Sequence, residues 1–195
     1  TRTNLLTPEA EEIWRSRMDV PTGERDAYFG RMRDLVVAHH SDPEMPELPE
    51  DHHGTVNFIA RDRDGNIACG VSTSGWAWKY PGRLGDSPII GAGNYADNRW
   101  GAAACTGRGE MAQRLCTAHS VVTFMRFGMS LDEALRQAVL DLHALDDQYR
   151  SEVNIVAIDR DGTPGAASTD AGKTYIYMRE DMETFVEEPR THITP

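Results

Sequence analysis

Apolar residues follow two different rhythms along this chain, and the change comes near position 55. At the start, Ile13, Trp14 and Met18 recur at helical spacing behind Thr7-Pro8, a cap residue followed by proline at the first helical position. A helix therefore opens the chain, and a second is predicted from about Glu24 to His39, with Tyr28, Met32, Leu35 and Val36 on one face. Between Ser41 and Asp51 stand three prolines and five acidic residues with no basic one, a composition that builds no core and reads as a linker. Beyond it, Val56 to Arg61 and Ile67 to Thr73 read as strands joined at Asp64-Gly65, a strong hairpin signal. Small apolar residues from Gly101 to Thr106 predict a strand closely approached by other backbone, and Met111 to Phe127 predicts one long helix whose apolar face is core. Ser130 and Glu133 form a capping-box pattern for a further helix reaching about Gln148. A second hairpin is predicted from Val153 to Asp159 and Gly165 to Thr169 across Asp161-Gly162, then a strand from Lys173 to Met178 and an irregular tail from Glu187. Strands, helices and strands in that order imply an α+β protein with helices packed on a largely antiparallel sheet.

Bulk composition narrows the function classes. The 195 residues suit one domain, and 39% hydrophobic content provides a modest core. Thirty-one acidic against twenty basic residues leave a net charge of -11, so nucleic acid is an improbable partner for the average surface. No apolar run approaches the roughly 20 residues of a membrane span, and no basic segment leading into an apolar one opens the chain. A soluble protein is expected, with the cytoplasm favoured. Cys69, Cys105 and Cys116 are odd in number and lack paired spacing, which favours buried thiols over a disulfide framework or zinc knuckle.

Candidate chemistry concentrates around Thr55. Gly54-Thr55 lies where the polar linker meets the first strand, and scission of that bond would give Thr55 a free α-amine. Such an amine, with a reference pKa of about 7.7 to 8.0, is the base a threonine hydroxyl needs to become a nucleophile. Thr73 ends the returning strand, where its hydroxyl is placed to donate to the Thr55 oxygen. Gly82-Arg83-Leu84-Gly85-Asp86 sets a guanidinium and a carboxylate three residues apart, suited to holding both charges of an amino-acid group, although a surface ion pair would look the same. Thr106-Gly107 closes a strand ahead of a helix, so a hydroxyl and a backbone N–H can face a developing oxyanion; an ordinary helix cap is the alternative.

The motifs from Pro81-Gly82-Arg83-Leu84-Gly85-Asp86-Ser87-Pro88 to Gly93, and Thr106-Gly107-Arg108-Gly109-Glu110, resemble the N-terminal-nucleophile amidohydrolases. This family contains the glycosylasparaginases and the plant-type asparaginases or isoaspartyl peptidases. The resemblance runs from Gly54 to about Asp161, and Asn4-Leu5-Leu6-Thr7 is similar to the late part of the family's α subunit. It implies a four-layer αββα sandwich, lacking here most of the α-subunit part. Residues 1–54, with the linker at about 41–54, would be the end of the α subunit, and 55–195 the β subunit. By position, Thr55 resembles the nucleophile, Thr73 its support, Arg83 the ligand of the substrate α-carboxylate, Asp86 the acceptor of the α-ammonium, and Thr106 with Gly107 the oxyanion pair. The implied substrate is a small asparagine-type amide, with no metal or organic cofactor, in an (αβ)2 assembly completed by an α-subunit segment or partner chain. Ala92-Gly93-Asn94-Tyr95-Ala96-Asp97 and Gly101-Ala102-Ala103-Ala104 look closer to the glycosylasparaginases, which favours a glycosylated asparagine. Gly54 departs from them, since they carry Asp before the nucleophile; the plant-type enzymes carry Gly.

Two further sets of residues have competing readings. His39-His40 and His52-His53 flank the linker and are potential metal ligands, but with no helix or strand to fix their geometry a solvated linker is favoured. Trp76 and Trp78 suit either stacking on a sugar or simple packing.

Overall fold

The computed structural model describes residues 7–18, 27, 30–31, 34, 54–76, 79, 82–147 and 150–195. The chain divides into two units, Thr1–Asp51 with Trp76–Arg83, and His52–Gly75 with Leu84–Pro195. In the first unit, α1 spans Pro8–Met18, as Thr7-Pro8 predicts, and Glu11 bonds Arg15 one turn on at 2.6 Å. Ala27, Gly30, Arg31 and Asp34 are helical, in keeping with the second predicted helix. Its remaining positions, the proline-rich linker, the four histidines and Trp78 lie outside the described residues.

The second unit opens on the hairpin β1 (Thr55–Arg61) and β2 (Ile67–Thr73), antiparallel with Thr55 opposite Thr73. Asp62 organises the loop: its Oδ1 accepts from the N–H groups of Asp64 at 2.9 Å and Asn66 at 2.8 Å, with Gly65 at φ 84°. The turn is thus a five-residue loop around an aspartate rather than a tight pair at Asp64-Gly65. A five-stranded sheet follows in the order β3 (Asn94–Asp97), β4 (Gly101–Gly107), β5 (Val153–Asp159), β6 (Pro164–Ser168) and β9 (Thr191–His192). Its ladders are antiparallel except β6 with β9. The β5–β6 loop repeats the first device, with Asp159 Oδ1 accepting from Asp161 and Thr163.

Alternation along the strands divides this sheet into two faces. Ala103, Cys105, Val153, Ile155 and Ala157 are fully buried against the helices, whereas Thr106, Val156 and Ile158 face the other way and line a cleft. The helices are α2 (Gly109–Leu115), α3 (Thr117–Arg126) and α4 (Leu131–Ala144). One long helix was expected from Met111 to Phe127, but Cys116 adopts a left-handed conformation at φ 47° and divides it. Its N–H caps the end of α2, and Ser120 Oγ then takes up the Leu115 carbonyl at 2.8 Å. The capping box at Ser130 and Glu133 is present, and α4 ends at Ala144, short of the expected Gln148. Gly165 lies under α4, where an added Cβ would meet Leu131 at 2.8 Å.

The tail from Glu187 is ordered, contrary to the expectation of irregular chain. β7 (Thr174–Tyr177) pairs with β8 (Val186–Pro189), and the Tyr175 and Tyr177 hydroxyls both donate to Glu188, at 2.9 and 3.1 Å. Arg190 donates to the carbonyls of Ile155 at 2.7 Å and Thr174 at 2.8 Å, so polar side-chain bonds hold a segment whose sequence is largely charged.

The β3–β4 turn carries a testable electrostatic feature. Arg99 donates twice to Asp97 and, with its backbone N–H, pulls the carboxyl from 3.8 to about 2. A folded pKa below the unfolded one stabilises above about pH 4 and ceases to do so as pH falls towards 2. Arg99 is exposed, so solvent screens the pair and the contribution is small. The melting temperature of Asp97→Asn should accordingly lie slightly below that of the native protein at pH 6 and converge with it as pH falls to about 2; a gap at pH 2 as wide as at pH 6 would contradict the assignment.

Candidate active site

Antiparallel register brings the two threonines together: Thr55 Oγ1 donates to Thr73 Oγ1 at 3.1 Å. Thr73 Oγ1 also accepts from the Gly75 N–H at 2.9 Å, so it acts here as acceptor, the reverse of the direction expected from sequence. Gly54, just before Thr55, has φ 134°, a conformation that a residue with a Cβ adopts only under strain.

Thr106 lies near the end of β4 opposite Asn154, and Gly107 opposite Val153. Gly107 has φ 105°, and a Cβ there would fall 2.2 Å from the Glu152 carbonyl oxygen, while the Arg108 N–H donates to that same oxygen at 2.8 Å. Two independent constraints, dihedral and space, therefore require glycine. Thr55 and Thr106 line one cleft of about 820 Å³, whose other walls include Val156, Ile158, Tyr175 and Arg190. Burial, then the hydrogen bond to Glu188, pushes the Tyr175 phenol up to about 12.

Asp86 is only 5% exposed and sits in a tightly bonded loop. The Ile89 N–H donates to the Asp86 carbonyl at 2.9 Å, Gln113 holds the Leu84 carbonyl at 3.1 Å, and Asn94 holds that of Ser87 at 3.1 Å. From the far end of this loop Gly93 accepts from Cys105 N–H at 2.8 Å, and Gly91 from His119 N–H at 2.9 Å. Cys105 is fully buried, and burial together with the nearby Asp86 charge raises its thiol pKa, which keeps it protonated. Arg83 belongs to the first unit, where its guanidinium stacks 5.1 Å above the Trp76 ring. Trp76 is thus a partner of Arg83, a role the sequence left undecided.

Within the second unit Thr55 and Thr106 line one cleft, Thr73 is bonded to Thr55, and Asp86 sits in a hydrogen-bonded loop. Sequence reasoning found the β7 strand but not its place on the cleft wall, nor that of Arg190, because both follow from packing between residues distant in sequence. Among the described residues, no group of three His, Cys, Asp or Glu is arranged to hold a metal ion, and no helix is long and apolar enough to cross a membrane.

Comparison with known proteins places this chain in a family. A family model described as "Asparaginase" matches residues 9–187. The chain is 34% identical over 182 residues to the plant-type L-asparaginase of Pyrococcus horikoshii, covering 92% of this chain and 55% of that protein. It is 40% identical over 134 residues to the isoaspartyl peptidase of Escherichia coli, covering 68% of this chain and 40% of the relative. It is 32% identical over 168 residues to the N(4)-(beta-N-acetylglucosaminyl)-L-asparaginase of Elizabethkingia miricola, covering 84% and 43% respectively. The chain spans about half, or less, of the length of these relatives. A model matching nearly end to end, joined to a paired threonine at the head of β1, identifies the chain as a member of the asparaginase family.

Proposed function

We propose that the whole protein is an autoprocessing amidohydrolase that cleaves the side-chain amide of asparagine-type substrates, most specifically N4-(β-N-acetylglucosaminyl)-L-asparagine. The observation carrying this reading is the 3.1 Å contact between Thr73 and Thr55, which lines a cleft together with Thr106. Scission of Gly54–Thr55 frees the Thr55 amine, which takes the hydroxyl proton as Oγ1 attacks the amide carbonyl. Thr106 and the Gly107 N–H stabilise the oxyanion, Arg83 holds the α-carboxylate and Asp86 the α-ammonium. The tetrahedral intermediate collapses to an ester on Thr55 as the leaving amine receives the proton. Water then adds to the ester and releases aspartate, and the proton returns to Thr55.

The finer substrate choice rests on the resemblance of residues 92–97 and 101–104 to the glycosylasparaginases. Isoaspartyl dipeptidase or L-asparaginase activity would use the same anchors with another leaving group, and a non-catalytic, unprocessed fragment would use none. In this reading residues 1–54 end an α subunit and 55–195 form the β subunit of an αββα sandwich, within an (αβ)2 assembly. All of residues 55–61 and 174–180 line the cleft, so the edges of β1 and β7 both face it. Those edges are suited to strands from the remaining α-subunit segment or a partner chain.

Parallel assays on the glycosylated asparagine, a β-aspartyl dipeptide and asparagine test the proposal. Fastest turnover of the glycosylated amide is the expected result, and no turnover of any would overturn it. Arg83→Ala should raise KM by about a hundredfold, as loss of a charged anchor does, while leaving self-cleavage intact. Blocked cleavage in that variant would contradict its assignment to substrate capture.

A further inference from the structure

Asp86 is held from two sides by glycines that have no other local reason to be glycine. Neither Gly93 nor Gly109 has a positive φ, so any L residue fits their backbone conformation. Space is what excludes a side chain. A Cβ on Gly93 would fall 2.6 Å from the Asp86 carbonyl oxygen, 2.7 Å from its carbon and 2.9 Å from Ser87 Cα. That oxygen is the one accepting from the Ile89 N–H, so displacing it would open the turn that presents Asp86. On the opposite side, a Cβ on Gly109 would lie 2.8 Å from the Asp86 nitrogen, 2.9 Å from its carboxylate Oδ1 and 3.0 Å from Gly85 Cα. Gly109 is the first residue of α2, where alanine is the better helix former, so glycine there runs against helix propensity. Both glycines are anchored by elements of their own: Gly93 through Cys105 of β4, and Gly109 through the helix it begins.

We propose that Gly93 and Gly109 are positioning residues for the Asp86 carboxylate, setting the distance at which it meets the ammonium of an α-amino-acid ligand. The inference rests on the reading of Asp86 as the ammonium acceptor. It differs from a plain packing role in what it forecasts: a clamp set about one carboxylate affects ligands that carry the ammonium and spares those that lack it. Gly70 is the matched control, since a Cβ there meets nothing within 4 Å and its φ is ordinary.

The test measures binding of L-aspartate and of succinate, its analogue without the ammonium, by calorimetry on the whole protein. Gly93→Ala and Gly109→Ala should each lose about tenfold or more in affinity for L-aspartate, a share of what an ammonium–carboxylate pair contributes, with succinate affinity held. Gly70→Ala should bind both ligands as the native protein does. Thermal melting identifies a variant that fails to fold; the two substitutions press on Asp86 from opposite sides, and either folded variant decides the question. Native L-aspartate affinity in a folded variant overturns the proposal, as does an equal loss for both ligands. Asp86→Asn separates this inference from the reading beneath it. If Asp86→Asn discriminates against L-aspartate and the glycine variants do not, the clamp alone fails. If Asp86→Asn binds L-aspartate at full strength, the ammonium-acceptor assignment fails and the clamp with it.

Discussion

Thr55→Ala is expected to leave the Gly54–Thr55 bond uncut and to lower amide hydrolysis by at least about a thousandfold, the scale on which nucleophile deletions act. Both effects follow from one atom, because in the proposed mechanism the same Oγ1 attacks the preceding carbonyl during processing and the substrate carbonyl afterwards. Thr55→Ser keeps that oxygen and should retain some of each activity. Thr73→Val removes the acceptor 3.1 Å away while preserving shape, and should reduce both rates less severely. Time courses of cleavage on gels, with amine release measured on the same samples, resolve these cases. Efficient hydrolysis by the alanine variant would remove Thr55 from the chemistry.

Gly107→Ala should have the largest effect on stability. The residue combines φ 105° with a 2.2 Å approach to the Glu152 carbonyl, so a methyl group brings dihedral strain and a backbone overlap together. Strain alone costs about 1 to 3 kcal/mol, and the overlap can be relieved only by parting the ends of β4 and β5, where Arg108 N–H bonds the same carbonyl. A loss of about 3 kcal/mol or more corresponds to a fall of roughly 6 to 12 °C in melting temperature for a protein of this size. Hydrolysis should fall as well, because Thr106 precedes this residue on the cleft side of the strand. Native melting of Gly107→Ala would show that the strand ends are not as tightly joined as the geometry indicates.

The parts of this fold legible in the sequence are those written in local pattern. β1, β2, β5 and β6 announced themselves through apolar runs bounded by Asp-Gly, and α4 through its capping box. What was not legible depends on contacts distant in sequence. β3 has four half-buried residues and no alternation, so only its pairing with β4 makes it a strand. The break at Cys116 escaped because the left-handed residue is neither glycine nor asparagine, the usual signals. β8 reads as charged chain, and becomes a strand by pairing with β7, where Glu188 accepts from two tyrosines and Arg190 ties the segment to β5.

The candidate site divides along the same line. The pairing of Thr55 with Thr73 could be read from hairpin register, since equal strands about one loop place first and last residues opposite each other. Thr106-Gly107 and Asp86 stood out by motif. The reasons for Gly54, Gly93, Gly107 and Gly109 could not be read that way. A glycine's necessity lies in a dihedral or in the atoms a Cβ would strike, and those atoms belong to residues 6 to 46 positions away.

The central claim is that Thr55 becomes a free amino terminus and uses its hydroxyl on an amide. N-terminal sequencing of the protein after incubation at neutral pH tests it most directly. A new chain beginning Thr-Val-Asn-Phe is the predicted result, whereas an uncut protein, or a new terminus at any other residue, would contradict the account.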